Sequence, residues 1–577
     1  MYTQTMVLDN SIISDSLIRR LSDDIIYEVF YALAAIDHPH TTGYKSERRT
    51  TNFGRIGWIV MTHVCKRWRR IGLDMSTLWA EIVCLFPLGV ETIVQRTKTT
   101  PLTLDFVDLG DPDEMWDIAL KLDLFPRART LNRIHNMHID GPSALDWSLT
   151  LLNRHLPQLR EMNVFVYNFT DPAHTQLNPL SAPELRSLSI NVPLAITAPL
   201  LSSLRASGDA WNRKLLLEFL RRYPALTEIE IDSVRNDCEI WEFDFSAQSI
   251  QMVDHMDRQL GAATTVCLPH LRNLSLISVG GEAIKLLDNL ELPVATKLYV
   301  FDVSERLVLA SLLLRLDKFH VPQHVLTLSD ASSNNSLDIS FTESEPYLGC
   351  AEDIPRGIMI QYKPAAITGE IPFVLGSIPS PSLIRTLTLS HECRNCAGWQ
   401  CGGLLRVDNV NWPMRSLSRF RNITTLILIG HESSYHVPSL LGTGATEEFI
   451  LPALYELILT VRYTTSRTWW SKLQSALVTR CAAGRRLNRL VIRGRACHAY
   501  WPDALEERAV AYAQVTEGVI EDREIDVWLK TCEVTLVRER ECVVHVVDER
   551  TVNGCDCASS VLDGNYPWEG FLDRTFV

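Results

Sequence analysis

No apolar run in this chain approaches the roughly eighteen residues that a membrane-spanning helix requires. The nearest candidate, LVLASLLLRL at 307–316, is short and carries Arg315. The opening stretch MYTQTMVLDNSIISDSLIRR has no basic start followed by an apolar block, so no secretory signal is expected. Fourteen cysteines are spread over 577 residues, too thinly for a small disulfide scaffold. Together these absences predict a soluble intracellular protein with reduced thiols, in cytosol or nucleus, and no membrane partner. Catalytic signatures are missing as well. There is no Walker loop, G-x-S-x-G, H-E-x-x-H or G-x-G-x-x-G, so no catalytic residue, resident metal or cofactor is expected, nor an enzymatic role.

What is present suits a folded chain. Hydrophobic residues make up 46% and charged residues 22%, enough to bury a core along most of the length. The length calls for three to four domains, or a repeat array plus a small module. The net charge of −13 is uneven. Residues 461–500 hold nine Arg and Lys and no acid, whereas 501–577 hold 17 acidic and 7 basic residues. The two segments either neutralise each other or leave a basic patch for an acidic partner. Overall acidity argues against nucleic acid as the main ligand.

One pattern recurs through the middle of the chain, L-x-x-L-x-L. It is found as IHNMHI (134–139), LREMNV (159–164), LRSLSI (185–190), LTEIEI (226–231), LRNLSL (271–276) and ATKLYV (295–300). Later copies are IRTLTL (384–389), ITTLIL (423–428), LYELIL (454–459) and LNRLVI (487–492). The last three positions of most copies alternate apolar, polar, apolar, which predicts a short strand buried on one face. Several copies follow a helix-like block, as in WNRKLLLEFLRRYPALTEIEI, where Leu216, Phe219 and Leu220 share a helical face and Pro224 stops the helix. In WWSKLQSALVTRCAAGRRLNRLVI the same holds for Trp470, Leu473 and Leu477. The unit is helix, turn, strand. It resembles a degenerate leucine-rich repeat, whose neighbours stack because no unit can bury its apolar face alone. The Ser-, Asn- and Pro-rich stretch 330–380 reads as a loop-rich insertion or an irregular repeat. Beyond residue 500, ALEERAVAYAQVTEGV reads as a helix and CEVTLVRERECVVHVV as two strands, a terminal cap.

The N-terminus carries a different signal. In RRLSDDIIYEVFYAL (19–33), Ser22 can cap a helix, Asp23 and Asp24 favour its positive end, and Ile25, Ile26, Val29, Phe30 and Leu33 form an apolar stripe. A polar segment follows, read as a flexible loop. Then Val60, Val64, Trp68 and Ile71 recur at helical spacing, with Lys66, Arg67, Arg69 and Arg70 on the solvated or partner-facing side.

Leu21, Ser22, Asp24, Ile25, Ile26, Val29 and Phe30, followed by Val64, Cys65, Lys66, Trp68, Leu78 and Trp79, resemble the F-box family, in particular a fungal F-box-like variant. Ser22 departs from it, standing where the family prefers proline. The resemblance implies docking on the Skp-type adaptor of a cullin–RING ubiquitin ligase, with the repeats holding an unknown protein substrate. The adaptor-binding residues it implies are Leu21, Ile25, Ile26, Val29, Val64, Cys65, Trp68, Leu78 and Trp79, some of which must instead hold the module together. The alternatives are a scaffold whose F-box-like module has no ligase role, and nucleic-acid binding through 461–500.

The expected architecture is mixed α/β. Residues 1–18 form a poorly ordered start. An all-α F-box-like module spans 19–82 with an inserted loop at 37–55. A repeat solenoid spans 83–500, and an acidic cap spans 501–577. Two further constellations bear on possible chemistry. His63 and Cys65 lie two apart, a helical spacing that points them away from each other. His391, Cys393, Cys396 and Cys401 could hold zinc, but no second paired half follows, so uncoordinated loop cysteines are favoured and no metal is expected.

Overall fold

The computed structural model describes residues 21–40, 56–107, 109, 112–133, 150–151, 153–165, 179–208, 211–232, 265–278, 280–316, 324–331, 336–343, 357–364, 370–391, 417–429, 437, 441, 449–461, 467–494 and 542–549. These residues form a mixed α/β chain with helices and a large, mostly parallel sheet framework. None of the described helices is long and apolar enough to cross a membrane. The chain divides into two compact units. The first is Met1–Leu271 with Asn289–Glu291, and the second is Arg272–Asp288 with Leu292–Val577.

The first unit begins with α1 (Asp23–Ile36), where Ser22 is the N-cap and its hydroxyl accepts from Ile25 N at 3.3 Å, as the sequence predicted. A 3-10 turn follows (Gly57–His63), then α2 (Lys66–Asp74), α3 (Ser76–Glu81) and α4 (Val90–Thr97). The single helix expected through Val60, Val64, Trp68 and Ile71 is in fact two pieces. Cys65 is fully extended (φ −160°, ψ 172°) and is the residue from which α2 starts. His63 and Cys65 therefore do not share a helix, so the helical-spacing argument about them does not apply.

Next come six parallel strands with neighbours in the order β1 (Leu102–Asp105), β2 (Ala128–Arg133), β3 (Glu161–Val164), β5 (Ser187–Ile190), β7 (Ser203–Ser207) and β8 (Glu228–Asp232). Two short parallel pairs accompany them: β4 (Leu180–Ser181) with β6 (Ile196–Thr197), and β9 (Val266–Cys267) with β11 (Leu290–Glu291). Between strands run α5 (Pro112–Lys121) and α6 (Arg213–Arg222). In α6 the Asn212 side chain accepts from Leu215 N, and Leu216, Phe219 and Leu220 are buried as their spacing predicted.

Three departures from the repeat reading have physical causes. IHNMHI lies outside the described residues, and β2 precedes it. There the last apolar position is Arg133, which is buried, ion-paired to Asp113 and set 5.3 Å over the Trp116 ring. Strand β7 fills the long gap between LRSLSI and LTEIEI. Its Leu201, Leu204 and Ala206 keep the L-x-x-L-x-L spacing with alanine at the end. The third concerns the stretch 330–380 in the second unit.

That unit has strands in the neighbour order β10, β12, β15, β14, β13, β16, β17, β18, β19, β20. Their ranges are β10 (Asn273–Ile277), β12 (Lys297–Val303), β13 (Val325–Ala331), β14 (Ser336–Thr342), β15 (Gly357–Tyr362), β16 (Thr386–His391), β17 (Thr425–Ile429), β18 (Glu456–Val461), β19 (Leu487–Gly494) and β20 (Val543–Asp548). The helices are α7 (Gly281–Asp288), α8 (Arg306–Leu314), α9 (Glu370–Ser377) and α10 (Arg467–Ala482). Instead of loops alone, 330–380 contributes strands and a helix. Strand β14 runs antiparallel between β13 and β15, and β15 then lies parallel to β12. Pro372 is tolerated because it falls in the first turn of α9, where an N–H has no helical partner. Strand β20 matches the second strand read in CEVTLVRERECVVHVV. The first strand, the helix read in 504–519 and most of the loop at 37–55 lie outside the described residues. In α10, Leu473 and Leu477 are buried, and the Trp470 side chain lies outside the described residues.

Strand register sorts the face turned away from the main core. In the first unit one row reads Asp105, Asn132, Asn163, Ser189, Arg205, Glu230 across six strands. In the second unit the matching kind of row starts Ser275, Tyr299, Met359, Ser340. It continues through Thr327 and Thr388 and ends in Ile427, Ile458, Val491 and Val547. Neighbouring strands lie ~4.8 Å apart, so each row is a line of touching side chains. The first carries charge and amide, and the second carries none of either.

Candidate docking surface

Residues 21–40 and 56–97 close around a cluster of aromatic rings. Phe30 of α1 meets Trp58 edge-on at 6.1 Å and Trp68 of α2 at 5.8 Å, and Trp58 meets Trp79 of α3 at 5.0 Å. Edge-to-face contacts of this kind contribute about 0.5–1.5 kcal/mol beyond burial. Trp79 Nε1 donates to Gly72 O at 2.8 Å, and Arg96 of α4 stacks 4.4 Å from the Trp79 ring. Trp79 thus joins the helices to α4.

Trp58 is the centre of this cluster, with 0% exposure, and sequence reasoning passed over it. Its position depends on Gly57. That residue has φ +53°, and a Cβ there would run into Asp37 O. The turn lets Trp58 N donate to Asp37 O at 3.1 Å, returning the chain to the end of α1.

Arg67 holds the other end. Its Nε donates to Asp23 Oδ1 at 2.8 Å and its Nη2 to Leu21 O at 2.7 Å, fastening α2 to the start of α1. Arg70 adds a 3.4 Å contact to Asp23, and Arg69 Nε donates to Thr62 O at 3.2 Å. Three of the four basic residues around Trp68 are thus engaged inside the module, where the sequence suggested a solvated or partner-facing row. The Arg67–Asp23 pair is about a third to two-fifths exposed, so it contributes ~1 kcal/mol at most and acts mainly by fixing orientation.

The nine residues singled out from the sequence separate into three groups. Ile26, Trp68, Leu78 and Trp79 are buried and form the core. Leu21 and Val29 are half-buried. Ile25 (48% exposed), Val64 (49%) and Cys65 face outward.

Two further residues extend this outward set. Ile36 is 84% exposed, and with Ile25, Val29 and Ala32 it completes a stripe at i, i+4, i+7 and i+11 along α1. The buried stripe of α1 is Ile26, Phe30 and Ala34. The helix is therefore apolar on two sides, and among the described residues one of them, Ile26, Phe30 and Ala34, is buried. Val60, also exposed, lies four residues before Val64. Nothing in this arrangement pairs a nucleophile with a base. Among the described residues no group of three or more His, Cys, Asp or Glu could hold a metal ion. Of the suggested zinc set, His391 ends β16, and Cys393, Cys396 and Cys401 lie outside the described residues.

No protein-family model matches the chain, and no curated protein matches it.

Proposed function

We propose that this chain is a non-catalytic, substrate-recruiting subunit of a cullin–RING ubiquitin ligase. Its N-terminal helices would dock on a Skp-type adaptor, and its strand-and-helix units, read as a degenerate leucine-rich-repeat solenoid, would hold the substrate. The observation that carries this reading is the second apolar stripe of α1, Ile25–Val29–Ala32–Ile36, beside exposed Val64 and Cys65. Among the described residues the closed tryptophan core does not use that surface, and apolar area left open on a small module is characteristic of a binding site. Docking there needs no rearrangement of Trp68 or Trp79. The role is positional. Holding a substrate near a ubiquitin-charged enzyme raises the local concentration of its lysines without any chemistry by this chain.

Purified full-length protein, incubated with purified adaptor, is expected to bind it, and a chain lacking residues 1–82 is expected not to. No association above background from a folded full-length protein overturns the reading. A second reading, a scaffold without a ligase role, is favoured by Ser22 at the family's proline position. It predicts a stable partner whose abundance does not rise when the protein is deleted.

A further inference from the structure

The basic stretch 461–500 is engaged inside the fold at several of its arginines: Arg489 is paired to Glu456, Arg493 to Glu549, and Arg480 is buried. A second basic row is invisible in chain order and lies in the first unit. Arg129, Arg160 and Arg186 each stand one residue before Thr130, Glu161 and Ser187, which are register partners at the starts of β2, β3 and β5. Arg160 N donates to Arg129 O at 2.8 Å, and Arg186 N to Arg160 O at 2.9 Å. The three stems are therefore pinned by the sheet's own ladder, ~4.8 Å from strand to strand. All three residues are exposed. None of the three side chains has a hydrogen-bond or ion-pair partner among the described residues.

The groups around the row do not neutralise it. Glu161 follows Arg160, and Glu184 stands two residues before Arg186, yet neither is paired with an arginine of the row. Arg127, two residues before Arg129, adds another positive charge, and its Nη2 donates only to neutral acceptors, Thr97 Oγ1, Lys98 O and Thr100 O. On β7 the position that continues the row is Ser202, whose hydroxyl donates to Arg186 O at 3.1 Å, so the row of charge ends there. Arg129 is the extra residue of a bulge: Leu102 and Thr103 are consecutive in β1, but their partners in β2 are Ala128 and Thr130. Such bulges re-aim side chains. Like charges held this close repel each other, and no acid among the described residues relieves them.

We infer that Arg129, Arg160 and Arg186 form a docking row for an acidic, extended segment of a partner protein. Unpaired guanidinium groups call for carboxylates, which they take bidentately. From Arg129 to Arg186 the row spans ~10 Å, the length of about three extended residues at ~3.4 Å each. The segment that fits therefore carries two or three Asp or Glu within about four residues. A nucleic acid also offers spaced anions, but the chain's net charge of −13 repels a long polyanion beyond the row. Assigning the segment to the substrate rests on the reading of the repeats as substrate-holding; the row itself does not. Exposed ion pairs are individually weak and screened, so binding needs several at once and falls as salt rises.

The test uses the full chain and fluorescent synthetic peptides about ten residues long, compared by anisotropy. One peptide alternates Asp or Glu with Gly or Ser, a second has Gln in place of the acids, and a third has Lys. A single-stranded RNA of equal charge is a further probe. The acidic peptide is expected to bind, and at least about tenfold more weakly at moderate than at low salt. Arg129→Gln, Arg160→Gln and Arg186→Gln combined should weaken it at least about tenfold. All three positions are exposed, so circular dichroism should be unchanged. Arg205→Gln, on an exposed arginine of the same unit already paired to Glu230, should leave binding unaltered. Equal binding of the acidic peptide and the Gln or Lys peptide, undiminished binding by the folded triple variant, or tighter binding of the RNA overturns the inference. The same proteins are tested for adaptor association. Acidic-peptide binding without adaptor association removes the ligase reading and leaves the row standing. Adaptor association without acidic-peptide binding removes the row alone.

Discussion

Gly72 of α2 lies flush against Phe30 of α1: a Cβ on Gly72 would stand 2.8 Å from Phe30 Cζ and 2.8 Å from Thr62 Cγ2. Three segments meet at that point, and one of the contacting rings belongs to the aromatic cluster. Phe30 and Thr62 are both buried, so neither the ring nor the methyl group has open space to retreat into. Gly72→Ala should therefore destabilise the N-terminal helices by about 1–3 kcal/mol, the usual cost of overpacking, even though alanine is the better helix former. Thermal unfolding of the full chain checks this, and an unchanged or raised midpoint for that segment would refute it.

The outward and inward apolar residues should separate in experiment. Ile25→Glu and Val64→Glu fall on exposed positions and are expected to change stability by no more than ~0.5 kcal/mol while abolishing adaptor association. Trp79→Ala removes a ring held by Trp58, Gly72 and Arg96, and should cost about 3–5 kcal/mol. Circular dichroism beside a pull-down distinguishes the two classes. Wild-type association by both Glu variants would remove the stripe from the proposed function.

A proton is held in the second unit by Tyr362. Burial, then its 3.0 Å hydrogen bond to Glu370 and the charge of that carboxylate, push the phenol up to about 12. Glu370 is itself gripped by Arg306, whose Nε donates at 2.9 Å and 3.1 Å to its two oxygens. A raised phenol pKa means that the folded state keeps the proton that the unfolded chain loses near pH 10. The stability this provides is complete below pH 10 and disappears as pH climbs from 10 towards 12. Tyr362→Phe should flatten the fall in stability across that window, as read from denaturant midpoints at successive pH values. A variant that falls as steeply as the wild type would refute the assignment.

Arg480 of α10 is fully buried, with one bond of 2.8 Å to Leu451 O and the Phe449 ring 5.1 Å away. Its Nε and Nη1 have no hydrogen-bond partner among the described residues. Desolvation, aided by the charge of Arg485, pulls the guanidinium down to about 10. One charge-assisted hydrogen bond returns ~2 kcal/mol and a buried ring contact ~2 kcal/mol, against an effective desolvation cost of several. Arg480→Met keeps the stem and discards the charge, so its melting temperature should equal or exceed that of the wild type. Arg480→Ala loses the stem packing and should melt lower. A methionine variant that melts below the alanine variant would contradict this ordering.

The parts of this fold that were legible in the sequence rest on local chemistry. Ser22, Asp23 and Asp24 announce the start of α1, and Leu216, Phe219 and Leu220 announce the buried side of α6. Nine of the ten L-x-x-L-x-L copies coincide with strands, the tenth lying outside the described residues. Where the pattern failed, a tertiary partner had replaced an apolar residue or a small one sufficed. Arg133 substitutes for leucine in β2 because Asp113 and Trp116 receive it, and Ala206 does so in β7. Strands β14 and β15 were hidden because Ser340, Asp338 and Gln361 lie on the face that needs no apolar residue. The site was harder still. Periodicity cannot register the extended backbone at Cys65, and two apolar stripes on α1 look alike until Phe30 is seen against Trp58. The exposed strand residues, which share no common chemistry in chain order, divide into a charged row and an uncharged one only when register is known.

The inverted placement of β13, β14 and β15 sets an order of events during synthesis. As the chain leaves the ribosome, β13 can close on β14 at once, since Val325 meets Thr342 only about seventeen positions on. Strand β12 must wait, because Leu298 pairs with Ile358 about sixty positions later. For that interval β12, paired with β10 on one side, has no neighbour on the other, and β15, which will cover that edge, is made only after β13 and β14. Synthesis that pauses between residues 303 and 357 would leave this edge open to pairing with other chains.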